Sequence, residues 1–148
     1  MIAFRFSMLV LSLCLAGCLA QKIPADVARQ IQIFGIELNS GRDYREFRGI
    51  AATEEPCLKG YELNFENLDL IIGYGFNRKI RKITTRNRNT SVFGISPGNT
   101  VEEGRKRAIQ AGLSEDVAIN RYKGDGISLY LLVDEKDRIF GITVETVD

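Results

Sequence analysis

The chain has 148 residues, with 20 Lys and Arg against 19 Asp and Glu, and a formal net charge of +1. Near-neutrality argues against nucleic acid as a partner, because such binding needs a basic field. Histidine is absent, which removes the commonest general base, every Ser-His or Cys-His dyad and most zinc sites.

Arg5 is the only charge before Lys22, and Phe6 to Ala16 is apolar apart from Ser7 and Ser12. That run falls short of the ~20 residues that cross a bilayer as a helix, and it suits the core of a secretory signal. It ends in Leu15-Ala16-Gly17-Cys18, which resembles the lipobox read by the bacterial lipoprotein signal peptidase. Small Ala16 and Gly17 suit a tight protease site, and Leu15 suits an apolar pocket. The resemblance implies cleavage after Gly17, acylation of Cys18, and a covalent lipid that ties the chain to a membrane. It implies no dissociable cofactor. The acyl chains supply the affinity, at roughly 0.8 kcal/mol per buried methylene. Leu19 stands where an aspartate would mark inner-membrane retention. A host with two membranes would therefore carry the protein on its outer membrane, facing the periplasm. The alternative is an ordinary secretory signal that happens to contain cysteine. Cys14 leaves with the signal and Cys18 is lipidated, so Cys57 lacks a partner within the chain. It reads as a small buried hydrophobe or as a reactive thiol.

Residues 1–17 are thus read as signal and 18–28 as a lipid-anchored tether, with Pro24 among polar residues. Two repeats follow, 29–86 and 87–148. In the first, Asp43 to Ala52 is expected as a helix with Tyr44, Phe47 and Ile50 inward. Tyr61 to Phe65, Leu68 to Tyr74 and Lys79 to Thr85 are expected as strands. Ile80 and Ile83 lie three apart, which a plain strand would place on opposite faces. A bulge between them, or partial cover on both faces, resolves this. Arg78, Lys79, Arg81, Lys82, Arg86 and Arg88 crowd this stretch. They read as a solubilising edge strand or as a docking site for an acidic partner or anionic headgroup.

In the second repeat, Ser96-Pro97-Gly98 turns the chain into a helix. Asn99 or Thr100 is the N-cap, Glu102 and Glu103 sit in the first turn, and Gly112 follows the end. Val101, Ala108, Ile109 and Ala111 share its inner face. Strands at Asn120 to Lys123, Ile127 to Val133 and Arg138 to Val147 complete it, joined by the turns Lys123-Gly124-Asp125-Gly126 and Asp134-Glu135-Lys136-Asp137. The two halves pair without gaps at an offset of 59: Phe34-Gly35-Ile36 with Phe93-Gly94-Ile95, and Ile80 and Ile83 with Ile139 and Ile142. The fold class expected is α+β, two tandem helix-plus-antiparallel-meander repeats with the helices packed on one face of the sheet.

Phe93-Gly94-Ile95-Ser96-Pro97-Gly98-Asn99-Thr100-Val101-Glu102-Glu103 followed by Gly112 resembles a module with a Gly-Ile-x-x-Gly-x-[Ser/Thr] entry. That module occurs in β-lactamase-inhibitor-protein-like domains and in the small lipoprotein of the outer-membrane β-barrel assembly machine. The first half departs from it, with Asn39 in place of the aligned glycine. The resemblance implies binding modules and supplies no catalytic residues.

The carboxylates Glu54/Glu55, Glu102/Glu103 and Asp134/Glu135/Asp137 lie in expected turns or helix starts, where solvation is the default. Asp134 and Asp137 lack the ligand count of a calcium loop, so neither a catalytic nor a metal site is expected. The function expected is a membrane-anchored envelope lipoprotein that acts without catalysis, as a protein-binding or scaffold module. Two alternatives stand beside it. One is an inhibitor of a periplasmic or extracellular hydrolase, with Tyr74/Phe76 or Asp125 as its tip. The other is a carboxylate-based hydrolase.

Overall fold

The computed structural model describes residues 22–147. These form helix α1 (Ala25–Gln30), strands β1 (Glu46–Phe47), β2 (Ile50–Ala51), β3 (Thr53–Cys57), β4 (Gly60–Phe65), β5 (Leu70–Gly75) and β6 (Ile80–Thr85), helix α2 (Val101–Gln110), and strands β7 (Ser114–Glu115), β8 (Arg121–Gly124), β9 (Ile127–Val133) and β10 (Ile139–Thr146). The main sheet is antiparallel, with eight strands in the order β3-β4-β5-β6-β10-β9-β8-β7, and β1 and β2 form a separate ladder.

This architecture overturns the expected pair of helix-plus-meander repeats. The described residues are mostly antiparallel sheet, with two short α-helices. The segment expected as the first helix, residues 43–52, is the β1–β2 hairpin. Phe47 pairs with Ile50 across a two-residue loop in which Arg48 (φ 54°) and Gly49 (φ 74°) both adopt the left-handed conformation. That is the preferred geometry for a tight hairpin, and it cannot be continued as a helix. Aromatic contacts hold the hairpin down: Phe47 lies edge-on to Tyr44 at 5.5 Å and to Phe65 at 6.2 Å.

What the halves share is the meander. Asn39 N–H donates to the Ile80 carbonyl at 2.7 Å, and Ile80 N–H donates to Ser40 O at 2.8 Å. The same pair recurs 59 positions on, from Gly98 N–H to Ile139 O at 2.7 Å and from Ile139 N–H to Asn99 O at 2.9 Å. Asn39 takes a φ of 64° where Gly98 has 105°, and asparagine is one of the few other residues that tolerates that region. Thr84 and Thr143 face each other across β6 and β10, and their hydroxyls share a hydrogen bond of 2.8 Å. The pairs Thr85–Ile142 and Ile83–Val144 flank them symmetrically, so this contact marks a local two-fold axis between the halves.

The isoleucine spacing is resolved by bulges. Tyr74 pairs with Ile80 and Gly73 with Lys82, which leaves Arg81 as the extra residue on β6. On β10, Ile139 pairs with Val133 and Gly141 with Leu132, which leaves Phe140 extra. Each bulge restores the period, so Ile80, Ile83, Ile139 and Ile142 are all buried. They join Leu63, Phe65, Leu70, Ile72, Leu129 and Leu131 in one core on one face of the sheet.

Helix α2 closes that face in the second half. Thr100 caps it through a full capping box, its hydroxyl accepting from Glu103 N–H while Glu103 accepts from Thr100 N–H. Close approach is possible because residue 104 is glycine. A β-carbon there would fall 2.6 Å from Ile139 Cδ1 and 2.8 Å from Leu131 Cδ1. Ala108 is fully buried, but Ile109, expected inward, is 47% exposed. The glycine at 104 moves the contact stripe onto 104 and 108, one position away from 109. At the other end of the chain, Ile23 packs against the core and Val27 of α1 is buried.

Candidate binding surfaces

Leu15, Ala16, Gly17 and the lipidation candidate Cys18 lie outside the described residues. The six basic residues do not form one stripe. β6 lies between β5 and β10 in the middle of the sheet, so it guards no edge. The edges are β3, carrying Pro56 with Glu54 and Glu55, and the two-residue β7. Arg78 and Lys79 sit in the exposed β5–β6 turn. Arg81 and Lys82 turn onto the face opposite the core, where both pair with Glu62, and Arg81 also donates to Cys57 Sγ at 3.4 Å. Arg86 lies beyond the strand, over the Phe140 ring at 5.7 Å. Arg88 follows in an exposed turn. The central pair is therefore structural, and charge reversal there would break Glu62 pairing as well as any docking.

The carboxylates are likewise engaged. Asp134 accepts from the backbone N–H groups of Arg138 and Lys136, which hold its carboxyl below the usual range. Glu103 is held down by its capping bonds to Thr100. Glu115 is lowered by its bond to Arg105, and Asp116 by its bond to Lys123. A general acid needs displacement in the other direction. Two carboxylates do meet in a cleft of about 580 Å³ beside the Tyr61 ring, but Arg45 lies between them and pairs with both Asp43 (2.6 Å) and Glu54 (3.0 Å). Among the described residues, no group of three His, Cys, Asp or Glu side chains is placed to hold a metal ion.

Of the two tips considered for inhibition, Tyr74 is buried. Its hydroxyl donates to Arg42 O at 2.7 Å and accepts from Tyr44 N–H at 3.2 Å, and its ring stacks on Tyr61 at 4.8 Å. Phe76 and Asp125 are exposed. The pairings Gly60–Gly75 and Gly124–Ile127 place their turns at the same end of the sheet.

The surface that sequence reasoning missed lies at the other end. The 116–120 connection between β7 and β8 leaves Val117 (102%) and Ile119 (91%) fully exposed, with Ala118 between them. They rim a groove of about 370 Å³ whose opposite wall is Val101, Glu102 and Arg105 of α2. Ile109 lies one turn beyond Arg105. Ion pairs fix the floor: Arg105 with Glu115, and Asp116 with Arg121 (3.2 Å) and Lys123 (3.0 Å). Val117 and Ile119 are thus two large apolar side chains left in water beside a floor that ion pairs pre-form. The signal was present as Val117-Ala118-Ile119 between Asp116 and Asn120, but it reads as a connector until β7 and β8 are paired.

No family model, no curated protein and no solved structure matches this chain.

Proposed function

We propose that the chain is an envelope lipoprotein, anchored through Cys18, that binds a protein partner without catalysing a reaction. The observation that carries the binding role is the fully exposed Val117–Ile119 rim above the α2 groove. Water-exposed Val and Ile side chains on a fixed loop gain when a partner covers them, at about 25 cal/mol per Å² of apolar surface removed. The non-catalytic reading is supported by the absence of histidine and by four carboxylates, Glu103, Glu115, Asp116 and Asp134, that are held below the usual range by their partners. The anchor rests on the Leu15-Ala16-Gly17-Cys18 motif behind an apolar signal core.

The double substitution Val117→Asp/Ile119→Asp tests the binding role. Both side chains are already in water, so the melting temperature should stay within a few degrees. The envelope protein that crosslinks to a photoreactive residue at Ala118 should bind ~30-fold more weakly or worse, as expected for losing a central contact. Unchanged affinity would remove the groove from the account.

Inhibition of a hydrolase is a second reading. In its favour, Phe76 and Asp125 are exposed at one end of the sheet. Against it, Tyr74 is part of the core.

A further inference from the structure

The end of the sheet opposite the groove carries its own apolar tips. Cys57 pairs with Gly60, and Gly60 with Gly75. The β3–β4 and β5–β6 turns therefore project side by side, two strand spacings or roughly 10 Å apart. Each presents one large hydrophobic side chain to water, Leu58 at 98% exposure and Phe76 at 82%. Cations follow both in sequence: Lys59 after Leu58, and Arg78 and Lys79 after Phe76. The turns at the two ends of the sheet differ in charge. At this end they hold three cations against Asp125. At the groove end, residues 66–69, 86–89, 116–120 and 134–138 hold six acids against four cations.

Chain length adds a second constraint. Ile23 packs against the core five residues after Cys18, and five residues reach at most about 18 Å. A lipid on Cys18 thus holds the body against the bilayer, and some part of its surface must face the headgroups.

We propose that the Leu58/Phe76 end is that part: the two tips enter the interface of an anionic bilayer while Arg78 and Lys79 lie at the phosphates. Apolar side chains backed by basic ones suit the headgroup boundary, and the acidic end is repelled from it. This orientation rests on the anchored reading, and it points the Val117–Ile119 groove away from the membrane, toward a partner. It also excludes insertion of Phe76 into a soluble enzyme.

The chain has no tryptophan, so Leu58→Trp, Phe76→Trp and Val117→Trp each give a single reporter. The full lipoprotein is placed in vesicles of phosphatidylcholine and phosphatidylglycerol. Trp at 58 and 76 should show blue-shifted emission, protection from acrylamide and quenching by brominated acyl chains, while Trp at 117 stays aqueous. The shift should weaken in pure phosphatidylcholine, and equal shifts would remove the role given to the cations. If the variants sediment with the vesicles but 58 and 76 remain as quenchable as 117, the proposed contact is wrong and the anchor stands. If none sediments, the anchor fails and the contact fails with it.

Discussion

Gly60→Ala is expected to destabilise the protein by about 3 kcal/mol or more, enough to unfold a large share of a marginally stable domain. Gly60 opens β4 with a φ of 148°, and a β-carbon there would lie 2.2 Å from the Tyr74 carbonyl oxygen and 2.9 Å from the Gly75 carbonyl carbon. Both contacts are backbone, so no rotamer change relieves them. The strand has to move, and the Gly60–Gly75 and Cys57–Gly60 pairings move with it. Gly41→Ala is the control, since a β-carbon there meets nothing within 4 Å and its φ is ordinary. Urea denaturation of both variants should give a large fall in midpoint for the first and almost none for the second. Similar midpoints would mean that the β4–β5 register is wrong.

Tyr74→Phe should cost about 1–3 kcal/mol at neutral pH, because it leaves the buried Tyr44 N–H and the Arg42 carbonyl without their shared partner. It should also change the alkaline limb of stability. Burial pushes the phenol from its ordinary 10.0 up to about 12, so the folded state holds the proton more tightly than the unfolded chain does. The resulting stability is complete below pH 10 and is lost as pH climbs from there to about 12, a loss on the order of 2 kcal/mol. Tyr122 and Tyr130 are raised in the same direction, each chiefly by burial, so the wild type weakens through all three. Thermal melts from pH 8 to 12 should therefore show a shallower alkaline decline in Tyr74→Phe. Parallel curves would mean that Tyr74 is not buried in its neutral form.

The meander strands were legible because alternation and turn chemistry agreed. Ile127 to Val133 alternates between two turns, and Gly124-Asp125-Gly126 fixes the hairpin. The isoleucines three apart in β6 and β10 announced the bulges at Arg81 and Phe140. Residues 43–52 were not legible, because Tyr44, Phe47 and Ile50 at spacing three fit a helical face as well as a hairpin. The deciding information was the left-handed pair Arg48-Gly49, which tertiary packing of Phe47 on Phe65 makes worthwhile. The basic cluster misled for a related reason. A run of charges reads as exposed when its strand order is unknown, and placing β6 mid-sheet brings Glu62 from β4 onto Arg81 and Lys82. The groove was invisible because its walls, α2 and the 116–120 loop, meet only through the pairing of β7 with β8.

Fractionation of cells expressing the wild type and Cys18→Ser tests the whole account most directly. The wild type should carry label from radioactive palmitate and sediment with the membranes. The serine variant should take up no label, retain its signal segment and lose the short mature form. A serine variant that matures and sediments like the wild type would contradict the anchor, and with it the oriented, partner-facing body built on that anchor.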